Sequence, residues 1–132
     1  MNHYTITPIE RLRAHEEFVE ERVLELIERF RIRNSVDYAI IIDDATGVVI
    51  DGHHRYEALR RMDAHHAPVH VVDYLGDDTI IVKNWREDEP AVSKRDIIDH
   101  AMTGRLYPPK TTRHDFIHTL DPIDVPLSRL QA

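Results

Sequence analysis

Residues 48–62 read VVIDGHHRYEALRRM. A short apolar run ends in Asp51-Gly52, and beyond it Tyr56, Leu59 and Met62 fall on one face of a helix spanning about residues 53–62. A strand that enters a helix through a glycine limits the architecture, because the strand needs a sheet and the helix needs that sheet to cover. The turn itself carries two imidazoles and a guanidinium. Two readings are open on these residues alone. In one, Asp51 caps the helix and the histidines sit in solvent. In the other, the helix N-terminus binds an anion such as a phosphate, with Gly52 allowing close approach and His53, His54 and Arg55 donating hydrogen bonds. Asp51 would then be a ligand to a Mg²⁺ travelling with the phosphate.

The elements around this turn predict a small α+β domain with about three helices and a mixed sheet. YTITPIERL (residues 4–12) alternates weakly around Pro8 and suggests an edge strand. Val19, Val23, Leu26, Ile27 and Phe30 form an apolar stripe, with Glu20, Glu21, Arg22, Glu25 and Arg29 opposite, so a helix is expected from Phe18 to Asn34-Ser35. AIIIDD (39–44) and VVI (48–50) flank a turn at Asp44 to Gly47 and read as a hairpin. APVHVVDYL (67–75) and TIIVKNW (79–85) read as two further strands, followed by an acidic loop at Glu87 to Pro90. Ser93 with Asp96 resembles a capping box before a helix carrying Ile97, Ile98, Ala101 and Met102 toward the core and ending at Gly104. The tail, 115–132, contains Pro122 and Pro126 and is expected to pack on residues 1–132 as an irregular extension of a single domain.

Composition narrows the function. The net charge is −7, from 24 acidic and 17 basic residues, which argues against a general nucleic-acid binder. The absence of cysteine removes disulfides and thiol chemistry. No apolar run approaches the roughly 20 residues of a membrane span and no signal-peptide pattern opens the chain, so a cytoplasmic location is expected.

Scarce positive charge is concentrated a second time in PPKTTRH. Lys110, Thr111, Thr112, Arg113 and His114 give five consecutive donors behind two prolines, either an ordinary polar loop or a second anion cradle. In AHEEFVEE most carboxylates belong to a solvated helix face, but His15-Glu16 precede the periodic part, where a carboxylate can project into a cleft as a general base. The pairs His53-His54 and His65-His66 lack the i, i+4 spacing of helix-borne zinc ligands, so a zinc site is disfavoured.

IDGHHRYEAL resembles the signature of the ParB/sulfiredoxin superfamily, and AHEEFVEERV, APVHVVDY, LYPPKTTRH and IDVPLSRL extend the likeness to free serine kinases of archaea and bacteria. That resemblance implies phosphorylation of free L-serine to O-phospho-L-serine with ADP or ATP and Mg²⁺. It implies Glu16 as catalytic base and Asp51, Gly52, His53, His54 and Arg55 at the nucleotide phosphates, with Asp51 near the metal. Lys110, Thr111, Thr112, Arg113 and His114 would hold serine or phosphoserine, with Trp85 nearby. The kinases it resembles are longer, with an inserted region falling between Trp85 and Ser93. Sulfiredoxin chemistry is excluded by the missing cysteine. The rival expectations are a non-catalytic nucleotide- or phosphoserine-binding regulator, and a ParB-like nucleotide switch acting on DNA.

Overall fold

The structure is a computed structural model that describes residues 3–85, 91–117 and 119–132. The acidic loop expected at Glu87 to Pro90 lies outside the described residues. Strands β1 (Thr5–Pro8), β3 (Ile40–Asp43), β4 (Val49–Asp51) and β5 (His66–Val72) form one mixed sheet in the order β1-β5-β3-β4, with β1 on the expected edge. β3 and β4 pair antiparallel as the predicted hairpin, with a register irregularity between Ile41 and Ile42. The chain then crosses through α2 (His53–Arg61) to β5, which runs parallel to β3 and antiparallel to β1.

The unbroken IIID run of β3 follows from burial on both faces. Ile40 and Ile42 enter a core with Val23, Ile27 and Phe30 of α1 (Glu20–Arg33) and with Ala58 and Leu59 of α2. Ile41 points to the opposite face, where it meets Val48, Ile50, Tyr74 and Ile80, and Ile97, Ile98 and Ala101 of α3 (Lys94–Met102). α1 begins two residues after Phe18, with Val19 as its N-cap in extended conformation. The Ser93–Asp96 capping box forms, each side chain bonded to the other's backbone N–H. Met102 departs from expectation: it is half exposed at the last turn of α3.

The strand expected at TIIVKNW is shorter, β6 (Ile81–Asn84), and its partner is not β5. It pairs antiparallel with β7 (Thr112–Asp115), a strand made from the polar TRHD. The tail is also more regular than expected. Val125–Pro126 (β8) pairs with Ser35–Val36 (β2), and Leu127–Gln131 (α4) is helical. Val125, Leu127 and Leu130 are buried in the core under α1 and α2.

The hairpin turn is built by Asp43, whose buried carboxylate accepts hydrogen bonds from Thr46 N–H and Oγ1 and from the Tyr74 N–H. Gly47 closes this turn at φ +77°, and a Cβ there would meet the backbone carbonyl oxygen of Arg11. Gly104 has a similar φ of +78° but opens onto empty space. Gly104→Ala should therefore cost only the conformational penalty of about 1 kcal/mol. Gly47→Ala, which must also displace backbone, should cost at least about 2 kcal/mol more. Urea unfolding of the two variants measures the difference, and equal losses would contradict the close approach at Arg11.

Candidate functional site

The β4–α2 turn settles one of the two readings of DGHHR. The N-cap of α2 is Gly52, at φ +112°, and no side chain caps the helix. Asp51 is thus not the cap, and the first-turn amides of α2 receive no side-chain oxygen among the described residues. The left-handed φ of Gly52 favours glycine by itself. A Cβ there would in addition sit 3.1 Å from Arg55 Nη2 and 3.2 Å from Ile40 Cγ2, a tight fit against the protein's own side chains.

Facing this turn is a cavity of about 500 Å³. It brings together most of the predicted residues: Glu16, Asp51, Gly52, His53, His54, Trp85, Lys110, Thr112, Arg113 and His114. Thr111 and Arg55 are not among its walls. The Thr111 hydroxyl instead donates to the Pro108 carbonyl at 2.7 Å, holding the PPKT turn. Arg55 turns back beside Asp51, with Nη2 3.4 Å from its carboxylate, and lines two adjoining cavities that share Asp51 with the first. Arg55 Nε is buried without a hydrogen-bond partner among the described residues.

Glu16 reaches the cavity because its loop is fastened on both sides. Tyr107 N–H donates to the His15 carbonyl at 2.8 Å, and Glu17 N–H to the Tyr107 carbonyl at 2.7 Å. The Glu16 Oε1 atom accepts from the Thr112 N–H at 3.0 Å and from its hydroxyl at 3.2 Å. Burial raises the Glu16 pKa above that of an ordinary glutamate, and the Thr112 bonds, with further help from the Lys110 and Thr111 amides, oppose the shift. The amides of Lys110, Thr111 and Thr112 are thus turned to the Glu16 carboxylate. Lys110 adopts φ +60°, which turns the backbone toward it.

The histidines do work that the sequence concealed. His53 Nε2 accepts the His15 N–H at 3.1 Å, and His54 Nε2 accepts the Val19 N–H at 3.0 Å. Both rings therefore fasten the Glu16 loop to α2 and are neutral, each with its proton on Nδ1, rather than offering both nitrogens to an anion. Burial is the main cause that lowers both pKa values, aided at His53 by His15 and at His54 by Arg22 and Arg55. His15, only 1% exposed, donates from Nδ1 to the Val49 carbonyl at 2.8 Å. Its Nε2 lies 3.5 Å from Thr112 Oγ1, whose single hydrogen has the shorter bond to Glu16.

Sequence reasoning missed Arg22, which lies at the rim of the main cavity and of its neighbour. By periodicity Arg22 belongs to the polar face of α1, and only its position one turn past the Glu16 loop distinguishes it. Trp85 is half exposed, with the Arg113 guanidinium 5.5 Å from its ring centroid. As for metal, the described residues contain no cluster of three or more His, Cys, Asp or Glu able to hold an ion. Asp51 alone, more than half exposed at its carboxylate, suits a Mg²⁺ that takes its remaining ligands from phosphate and water. No helix among the described residues is long and apolar enough to cross a membrane.

No family model matches the chain. In sequence it resembles L-serine kinases. It is 32% identical over 81 residues to an ATP-dependent L-serine kinase of Desulfurococcus mucosus, covering 58% of this chain and 31% of that protein. An ADP-dependent L-serine kinase of Thermococcus kodakarensis is 26% identical over 86 residues, covering 62% and 35%. A ParB-like protein of Sulfolobus acidocaldarius is 36% identical over 88 residues, covering 66% and 43%. The matches thus take in between about a third and under half of the length of these curated relatives. In structure, a free serine kinase in complex with AMP superposes with a TM-score of 0.89 at 17% identity, covering 96% of this chain and 93% of that one. The chain therefore has the fold of the free serine kinases.

The neutral histidines make stability depend on pH. His15 and His114 are held at about 3 and about 4, against 6.5 in the unfolded chain. Burial is the first cause for both, followed by His114 for His15 and by Lys94 for His114. Their stabilisation is complete above about pH 6.5 and is lost as the pH falls toward 4, because there the unfolded chain binds more protons. Glu16, with its raised pKa, acts in the opposite sense and offsets part of this loss. The urea midpoint should drop between about pH 7 and about pH 4.5, and His114→Gln should flatten that slope. A midpoint level across this window in the unsubstituted protein would contradict buried neutral rings.

Proposed function

We propose that this chain transfers a phosphoryl group from ATP or ADP to the hydroxyl of free L-serine, giving O-phospho-L-serine. The observation that carries this reading is Glu16, a carboxylate with a raised pKa in the same cavity as an uncapped helix start. Phosphoryl transfer asks the protein for positioning and charge stabilisation more than for covalent help. The α2 amides and the Nδ1–H of His53 and His54 serve as donors for phosphate oxygens, with Arg55 at the turn's far side. Lys110, Arg113 and His114, with Trp85 and Thr112, form the opposite wall for serine.

As the serine oxygen bonds to phosphorus, the bond from phosphorus to the nucleotide's bridging oxygen breaks, and the hydroxyl proton passes to Glu16. Both Thr112 bonds fall on Oε1, so Thr112 fixes the carboxylate while moderating the rise in pKa that burial gives it. Asp51 is the residue suited to hold Mg²⁺, which when bound neutralises charge on the phosphate oxygens. Support comes also from the relatives' names and from solved free serine kinases bound to AMP and ADP, some with a single glutamate replaced by glutamine or alanine.

The decisive experiment incubates the protein with L-serine, Mg²⁺ and either ATP or ADP and follows phosphorus NMR. O-phosphoserine should appear with at least one donor. Glu16→Gln should fold and lose turnover by about 10²-fold or more, in line with removal of a general base. Failure with both donors would shift the assignment to a nucleotide- or phosphoserine-binding regulator, which has no need of Glu16.

A further inference from the structure

Tyr74 lies outside the cavity and is fully buried, yet its hydroxyl is 2.7 Å from His114 Nε2. The two rings meet edge to face, with centroids 5.4 Å apart. Tyr74 cannot drift from this contact. Its N–H donates to the buried Asp43 carboxylate at 3.2 Å, and its carbonyl accepts from Lys94 Nζ at 3.0 Å. The same ammonium, also bonded to the Asp77 carbonyl, sits 5.3 Å from the Tyr74 ring centroid. The hairpin turn and the first turn of α3 thus clamp one phenol against one imidazole.

The direction of the Tyr74–His114 bond follows from counting hydrogens. The phenol keeps its proton at neutral pH, because burial and then the Asp43 charge push its ionisation beyond the usual tyrosine range. Among the described residues its hydroxyl has no partner other than His114 Nε2. If Nε2 carried a proton, two hydrogens would face each other and the phenol hydrogen would be buried unpaired. Nε2 is therefore the acceptor, and the ring's proton is on Nδ1. The charged groups that bear on the ring are Lys94, which disfavours its protonation, and Asp115, which favours it. The His15 ring is 6.2 Å away and Phe116 6.3 Å.

We propose that Tyr74 is a positioning residue for the bound amino acid: it locks His114 in the tautomer whose Nδ1–H is offered to the cavity. A ring so locked donates but neither accepts nor carries charge. It suits a carboxylate or hydroxyl oxygen and disfavours an ammonium group in the same place, so it orients an amino acid end for end. The identity of that ligand rests on the serine reading, whereas the tautomer does not.

The test begins without ligand. Two-bond nitrogen–proton correlation spectra at neutral pH should show His114 protonated on Nδ1 and bare on Nε2. Tyr74→Phe, which deletes only the hydroxyl, should move the ring to a mixture containing Nε2–H. L-serine affinity by calorimetry should fall roughly five- to tenfold in that variant, the usual scale for one hydrogen-bonding arrangement. Nε2–H in the unsubstituted protein, or a tautomer indifferent to Tyr74→Phe, would overturn the proposal. Should Tyr74→Phe not fold, the unsubstituted spectrum decides by itself. The expected tautomer combined with no serine binding by the unsubstituted protein would count against the serine reading alone.

Discussion

One buried neutral imidazole joins the parts of this site. The His15 ring donates to the Val49 carbonyl of β4 and meets His53 of α2 edge to face at 4.4 Å. Its backbone N–H goes to His53, and its carbonyl accepts from Tyr107 in the segment leading to β7. The cavity walls come from four places in the sequence, and His15 ties its own loop to two of the others, the β4–α2 turn and the segment around β7. A charged ring here would bring an uncompensated cation into a buried cluster that already contains His53 and His114. Neutrality is therefore a condition for the Glu16 loop to lie where it does.

The same condition bears on the anion site that the proposed function asks of an acidic chain. The buried rings contribute dipoles, while the full charges of Arg22, Lys110 and Arg113 stay at the exposed rim. A phosphate would meet helix amides and N–H groups first, a weaker but better-oriented environment than a ring of cations. For a transferase this has a use. A site that held phosphate by several buried charges would hold product as tightly as donor, whereas oriented dipoles can favour the transferring geometry.

The hairpin, α2, the Ser93 cap and the edge position of β1 were legible because each has a local cause in periodicity, turn chemistry or a proline. β7 was not. Its inward residues are Thr112 and His114, so no apolar alternation announces TRHD as a strand. The packing of the tail was expected but its strand and helix were not, for a related reason: Pro122 and Pro126 break the pattern that Val125, Leu127 and Leu130 would otherwise make. At the site, residue types pointed to Glu16, DGHHR and KTTRH, but not to which group binds which. The sequence offers both nitrogens of His53 and His54 to a ligand, whereas Nε2 of each is taken by the chain itself and only Nδ1–H is left for one. Local sequence shows an imidazole; only the fold shows which of its two nitrogens is already used.

Glu16 and Thr112 are 96 positions apart and share two hydrogen bonds. Between them, β3 and α2 form a local unit, while β7 and the tail arrive late in the chain and close long loops. The tail is stitched to the rest by His65 N–H on the Leu130 carbonyl and Leu127 N–H on that of Asn34, at 2.8 and 3.2 Å. Closing such loops costs entropy that only the completed core offsets. The DGHHR turn can therefore form from its own neighbourhood, but the carboxylate that faces it is set in place only when both ends of the chain are. That coupling ties the chemistry to global rather than local folding, so substitutions in the tail core are expected to act on the site through stability before they act on its geometry.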